Sequence, residues 1–497
     1  MVDGGAGQDS IPGTDMGATT ATVGELGRAL ASGQLTAAAL TDFYLGRIER
    51  LNPRLRAVIE VSPDAAAAAA ASDRERAAAN GAPARPLAGI PVLIKDNIAV
   101  DGQPATAGSP ALRGSGQGDA FLVGRLREAG AIVLGKANLS EWANFRSSQS
   151  SSGWSALGGQ AVNPYGEGRN PSGSSSGSGV AVAAGLAPIA VGTETDGSII
   201  SPSSACGLVG MKPTLGLVSR SGIVPISPAQ DTAGPMARSV ADAALLLDAL
   251  AGPDPADEAT TRAPALAGSF GALLDPGALD GARIGVWRDG SAAATPATAA
   301  LLDAAVARLR AAGARLTDPV ELPGTAGIGE PEFTALLHEF KHYLNAYLAS
   351  VPGDHPANLA DLIAYNSSNA ASVLTHFGQE LFERAEATSG DLADPGYQEA
   401  RREAGALATT ALDSALRDGG LDAVVALSGS PAWLTDHVLG DHHVFGTSGP
   451  TAVAGYPSIT VPSGTVAGLP VGVTFMGPAW SEARLLALAY AYEQAGS

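Results

Sequence analysis

The feature that most constrains this chain is a repeated hand-over from helix to strand. Asp119-Ala-Phe-Leu-Val-Gly-Arg-Leu-Arg-Glu-Ala129 reads as a helix that ends at Gly130 and passes directly into the apolar run Ala131-Ile-Val-Leu134. The same grammar returns in Ala282-Arg-Ile-Gly-Val-Trp287, followed by a helix over Ala297–Ala312, and Leu421-Asp-Ala-Val-Val-Ala-Leu427 reads as a further buried strand. Strands and helices in alternation bury their apolar faces by building a sheet that the helices cover, so an α/β architecture is expected. The 497 residues leave room for two or three domains. Gly252-Pro-Asp-Pro-Ala-Asp257 breaks the chain, no internal repeat is visible, and the Ala65–Ala71 run followed by Asp73-Arg-Glu-Arg76 reads as a surface helix.

Three polar residues sit in unusual settings within this pattern. Ser198 lies in Val191-Gly-Thr-Glu-Thr-Asp-Gly-Ser-Ile-Ile200, after the apolar run Ala187–Val191, so a strand is expected to deliver it to a turn at a helix start. There the N–H groups of Thr195, Asp196, Gly197 and Ser198 can converge as an oxyanion hole, with a helix N-terminus behind them. A plain glycine turn with Ser198 as N-cap reads the same residues equally well. Ser174 lies in Asn170-Pro-Ser-Gly-Ser-Ser-Ser-Gly-Ser-Gly179, a tract too rich in Gly and Ser for a regular element, before the buried helix expected at Val180–Ala184. That tract also fits a linker, or a nucleophile elbow centred on Ser175. A phosphate loop is excluded, because Val180 stands where a lysine would follow the last glycine. Lys95 closes the strand-like run Leu87-Ala-Gly-Ile-Pro-Val-Leu-Ile-Lys-Asp-Asn97. Burial there would lower its pKa from about 10.4 and make it a base, whereas a lysine reaching from a strand end to water would stay charged.

Taken in order, these segments resemble the amidase signature family of serine hydrolases. The Lys motif is Gly89–Asn97, the Gly/Ser motif Asn170–Ser178 and the nucleophile motif Gly192–Ile199, with further matching stretches at Gly207–Thr214 and Gly468–Gly472. The resemblance runs from about Thr22 to the C-terminus. It implies that Ser198 is the nucleophile, that Ser174 is a bridging serine preceded by a cis peptide bond, and that Lys95 is the general base, with Gly173 and Ser175 in support. It implies acyl transfer without metal, histidine or cofactor. It further implies a single α/β domain over residues 22–497, with a large mixed β-sheet sandwiched between helical layers, after an N-terminal segment 1–21 expected to be flexible. Within the family the chain is most similar to the bacterial peptide amidases, which release the C-terminal amide of peptide amides. That similarity rests on Asn138-Leu-Ser-Glu-Trp-Ala-Asn-Phe-Arg146, Ser152-Gly-Trp-Ser155, Gln230-Asp-Thr-Ala-Gly-Pro-Met-Ala237 and Phe377-Gly-Gln-Glu-Leu381, and on Ser176, Asp196 and Ile200, where much of the family has Gly, Gly and Arg. Trp142, Phe145 and Trp154 are expected on the acyl side of the cleft, and the helical region 332–404 is expected to shape it. The alternatives within the resemblance are an amidase of aliphatic, aryl or amino-acid amides and a glutamyl-tRNA amidotransferase A-type subunit that works in a complex.

Two rival active sites can be read from the residues. His338-Glu-Phe-Lys-His342 matches the H-E-x-x-H zinc motif. The stripe Phe333, Leu336, Leu337, Phe340, Leu344 and Leu348 makes the segment helical and leaves His338, Glu339 and His342 on its polar side, as a solvated face. An esterase built on Ser175 would draw on His437, His442 or His443, but it lacks the upstream glycine-rich oxyanion loop. Composition separates function classes more coarsely. Thirty Lys and Arg against 49 Asp and Glu give a net charge of −19 and no basic run, which argues against nucleic acid. The single cysteine, Cys206, forms no internal disulfide and is expected to pack near the Ser198 helix. The N-terminus has neither basic residues nor an apolar core, so it does not read as a signal peptide as written, although a trimmed export signal would leave the same start. No membrane span is expected, and a soluble monomer acting on a small peptide amide or carboxamide is.

Overall fold

The computed structural model describes residues 17–78, 85–264 and 269–496. Eleven strands, β1 (Val58–Val61), β2 (Pro91–Lys95), β3 (Ile132–Ala137), β4 (Ile189–Glu194), β5 (Val209–Lys212), β6 (Thr232–Ala237), β7 (Arg283–Val286), β8 (Arg315–Thr317), β9 (Ala423–Leu427), β10 (Ser458–Val466) and β11 (Leu469–Met476), form one mixed sheet. Their order is β1-β3-β2-β4-β6-β5-β10-β11-β9-β7-β8. The break at 252–257 is no domain boundary, because β10 and β11 lie between β5 and β9 and tie strands from both sides of it into one sheet.

β2 and β4 are parallel neighbours in register at Val92↔Ile189 and Ile94↔Val191. Every residue of both is buried, which is why they read as continuous apolar runs without an alternating polar face. Their carboxyl ends therefore emerge side by side, the position at which α/β sheets place ligand sites. The expected helices appear at Phe121–Glu128 and Pro296–Ala311. The alanine run continues as a helix to Ala78 with Ala65, Ala69 and Ser72 as its buried stripe.

One expectation is corrected here. The Gly/Ser tract is partly regular, since its helix starts at Ser176 and spans Ser176–Ala183. Gly177 allows this: a Cβ there would run into the carbonyl oxygens of Ala57 and Asn138, so only glycine lets the helix sit so close to the sheet edge. At the N-terminus, residues 1–16 of the segment expected to be flexible lie outside the described residues. Residues 17–21 belong with the core, for Ala18 and Ala21 are buried and the Ala18 carbonyl accepts the Tyr44 hydroxyl at 2.8 Å. The helical region follows as Gly329–Ser350, Leu359–Ser368, Ala370–Val373, Glu380–Glu386 and Pro395–Asp413. No described helix is long and apolar enough to cross a membrane.

Candidate active site

Lys95, the last residue of β2, is fully buried. Its Nζ lies 2.8 Å from Ser174 Oγ, 2.8 Å from Thr193 Oγ1 and 3.1 Å from the Thr193 carbonyl. Asn97 Nδ2 donates to the same Thr193 hydroxyl at 3.0 Å. Burial lowers the Lys95 pKa to about 7, against the opposing pull of the Glu194 and Asp231 carboxylates. A neutral amine has two N–H bonds and one lone pair. Ser174 Oγ and the two Thr193 oxygens all accept from Nζ, and once the amine is neutral its lone pair can face the Ser174 hydroxyl.

Ser174 precedes the Ser176–Ala183 helix and follows a cis peptide bond from Gly173. Its neighbour Ser175 pins the tract to β4, donating to the Thr193 carbonyl at 3.0 Å and accepting the Thr193 N–H at 3.2 Å. The backbone around this loop is strained. Ser172, Trp142, Ala143 and Asn144 have positive φ values of 62°, 52°, 52° and 69°, a conformation that costs a non-glycine residue about 1–2 kcal/mol. Such residues collect at functional sites, where the surrounding structure over-determines them. Ser140 ties the two strained loops together: its Oγ accepts the Gly153 N–H at 2.9 Å and lies 3.3 Å from Ser176 Oγ.

Beyond β4 the chain turns through Thr195-Asp196-Gly197-Ser198 before the helix Ile200–Ala205. Gly197, at φ 78°, supplies the left-handed residue of the turn. The N–H groups of Ile199 and Ile200 are both taken by Glu194 Oε2, at 2.7 and 3.0 Å. Among the described residues, the four N–H groups of Thr195 to Ser198 donate to nothing. The turn is therefore a set of four consecutive free donors beside a helix start, an arrangement chemically able to receive a developing negative charge. The Ser198 carbonyl accepts the Ser175 N–H at 3.1 Å, which seats the turn against the Ser174 loop. The Ser198 hydroxyl itself makes no hydrogen bond among the described residues. Asp196 accepts Ser448 Oγ at 2.6 Å. Cys206, buried at the end of the Ser198 helix, has its thiol pushed up by burial.

The fold brings Lys95, Ser174, Ser175 and the Thr195–Ser198 turn together; the remaining expectations fare differently. Trp142, Phe145 and Trp154 are buried in packing contacts. Trp142 meets Phe382 edge-on at 5.5 Å, Phe145 packs on Phe340 at 5.0 Å, and Trp154 meets Phe377 at 5.1 Å and His376 at 5.2 Å. From this segment it is Ala143 that lines the small cavity beside Ser174, along with Asn97, Thr195 and Asp231. The zinc reading is corrected by Glu339. Far from facing solvent, it is buried, and its oxygens are held by Ser227, Tyr397 and Arg401. His338 stacks on Tyr397, and His342 Nδ1 contacts the Gly390 carbonyl. Among the described residues no group of three or more His, Cys, Asp or Glu is placed to hold a metal. The esterase reading fails because the Ser175 hydroxyl is committed to Thr193. His437 stacks on His376 at 3.9 Å and His443 packs against Trp433, while His442 is exposed.

Sequence reasoning missed Thr193, Asn97, Glu194 and Asp231, although each stands inside or beside a motif it had singled out. Their roles come from contacts across strands, which no local pattern encodes.

Comparison with known proteins gives the family. The Amidase family model matches residues 39–486. The chain belongs to the amidase signature family. It is 42% identical to a probable amidase of Arabidopsis thaliana over 96% of this chain and 90% of that one. It superposes on the native peptide amidase of Stenotrophomonas maltophilia with a TM-score of 0.90, at 50% identity and 98% coverage of both chains. A structure of the peptide amidase PAM with the competitive inhibitor chymostatin gives a TM-score of 0.91 at 51% identity, covering 96% of this chain and 97% of that one. This amidase signature chain is thus a hydrolase of carbon–nitrogen bonds in linear amides.

Proposed function

We propose that the enzyme hydrolyses the C-terminal carboxamide of peptide amides, releasing ammonia and the free acid, with Ser198 as nucleophile, Ser174 as relay and Lys95 as base. The observation that carries this reading is the buried Lys95 amine, with a pKa of about 7, lying 2.8 Å from the Ser174 hydroxyl beside a turn of four free N–H groups. Neutral Lys95 takes the Ser174 proton while Ser174 takes that of Ser198, and Ser198 Oγ bonds to the amide carbon. The oxyanion accepts hydrogen bonds from the turn. As the C–N bond breaks, Ser174 returns a proton to the departing nitrogen and ammonia leaves. Water then gives up a proton along the same relay, attacks the Ser198 ester, and frees the acid. The similarity, over nearly the whole chain, to structures named as peptide amidase supports the peptide amide as substrate.

The test is ammonia release from four compounds: a dipeptide amide, an N-acetylated amino-acid amide, a fatty amide and a free-acid peptide. The dipeptide amide is expected to react best and the free-acid peptide not at all. Preference for the fatty amide refutes the substrate assignment, and normal turnover by Ser198→Ala refutes the mechanism.

A further inference from the structure

The Thr195–Ser198 turn leaves its own donors free, so something other than those donors must fix its orientation. The Ser198 carbonyl and the Asp196 carboxylate hold its far end against Ser175 and Ser448, and two further anchors hold its start at Thr195. Its Oγ1 donates to Asp231 Oδ1 at 2.6 Å, while Asp231 Oδ2 accepts the N–H groups of Ile226 and Ser227 at 2.8 and 2.9 Å. Its carbonyl accepts Gln230 Nε2 at 3.3 Å. Gln230 is gripped in turn from the helical layer: Nε2 donates to Glu332 at 2.7 Å and Oε1 accepts Arg401 Nη1 at 2.7 Å. Arg401 also donates Nε to Glu339 Oε1 at 2.8 Å and pairs through Nη2 with Oε2. Glu339 further accepts Ser227 Oγ at 2.5 Å and the Tyr397 hydroxyl at 2.8 Å. The Glu of the H-E-x-x-H pattern thus ends a strut that begins at the oxyanion turn. Thr195 and Asp231 also line the cavity that Ser174 lines, so the inner end of the strut stands at the reaction centre.

We infer that Thr195, Asp231 and Gln230 are positioning residues for amide hydrolysis, orienting the turn that receives the oxyanion, and that the Arg401–Glu339 pair braces them from the helical layer. The inference rests on the reading of Ser198 as nucleophile. The strut acts through a hydroxyl, a carboxylate and a carbonyl, and none of these uses up an N–H that the oxyanion needs. A mis-set turn weakens hydrogen bonds formed in the transition state and leaves ground-state binding alone, so its signature is a loss of kcat with KM preserved.

The experiment measures kcat and KM on a dipeptide amide for Thr195→Val, Thr195→Ser and Glu339→Gln, with a thermal melt of each protein. Thr195→Val keeps the shape and loses the hydroxyl; its kcat is expected to fall about 10- to 100-fold with KM nearly unchanged. Thr195→Ser, which restores the donor, is expected to recover most of the wild-type kcat. Glu339→Gln is expected to lower kcat in the same sense by a smaller factor. A Thr195→Val enzyme with wild-type kcat overturns the inference, and so does equal damage in Thr195→Val and Thr195→Ser with a matching fall in melting temperature. Neither result touches the Ser198 assignment, which falls only if Ser198→Ala turns over.

Discussion

Replacing Lys95 with methionine is expected to stop turnover and at the same time stabilise the fold, and both effects should follow a single proton. The side chain is fully buried, and burial outweighs the Glu194 and Asp231 carboxylates in lowering its pKa from 10.5 to about 7. The ammonium is therefore penalised in the native state relative to the unfolded chain, by about 5 kcal/mol for a difference of that size. Between pH 7 and 10 the unfolded chain holds a proton that the native protein lacks, so wild-type stability rises with pH across that window. Below pH 7 both states are protonated and the native state carries the whole penalty. Methionine has no such proton. Its stability advantage should be greatest near pH 6 and shrink steadily towards pH 10, reduced throughout by about 1–3 kcal/mol for the Ser174 and Thr193 hydroxyls that lose a partner. In the proposed mechanism the same proton governs catalysis in the wild type: kcat/KM should rise about tenfold from pH 6 to pH 8 and then level, as the amine becomes neutral. The assays are ammonia release against pH and paired thermal melts of both proteins over the same range. A flat rate profile from pH 6 to 9, or a melting difference that does not change with pH, would refute the reasoning.

Arg146 is fully buried, paired with Glu141 and bound to the carbonyls of Val373, Phe377 and Gly378, with Phe377 under its guanidinium at 4.2 Å. Arg146→Ala strands the Glu141 carboxylate and cuts the loop that carries residue 146 from the helical layer, so a loss of about 3–5 kcal/mol is expected in denaturant melts; a near-neutral result would show that the pair is not a clamp. Dialysis against a chelator is expected to leave the rate unchanged, because the Glu339 oxygens are already held by Arg401, Tyr397 and Ser227. A loss that zinc restores would return the H-E-x-x-H reading to force.

How much of this was legible beforehand depends on where the partner of each residue lies. β2, β4 and β9 were readable because strands buried on both faces are continuous apolar runs, a property of the local chain. The helix Gly329–Ser350 was readable from its apolar stripe, but Glu339 was misplaced on the solvated face. What buries it is the charge of Arg401 on another helix, and periodicity carries no information about such a partner. The partners of the aromatic residues were hidden for the same reason: Trp142, Phe145 and Trp154 pack on Phe382, Phe340 and Phe377, all from the distant helical region. Order along the chain located the Lys, Gly/Ser and Ser198 motifs, whereas Thr193, which completes the lysine's shell, became recognisable only once β2 and β4 were neighbours.

Burial alone would not have chosen the proposed base. Lys95, Lys136 and Lys212 are all fully buried, and in each of them burial is the chief cause of a lowered pKa. They differ in what surrounds the nitrogen. Lys136 Nζ faces the Asp96 carboxylate at 3.4 Å and the carbonyls of Ile98 and Pro104 at 2.6 and 3.0 Å, acceptors that suit an ammonium and have no proton to give. Lys212 Nζ donates to the Pro213 carbonyl at 3.0 Å in the field of Glu194 and Glu482. Of the three, Lys95 alone meets a serine hydroxyl, and a base needs a neighbour from which to take a proton. Desolvation readies all three amines; the fold sets only one of the three against a serine, and on the proposed mechanism the turn at Ser198 gives that proton transfer something to accomplish.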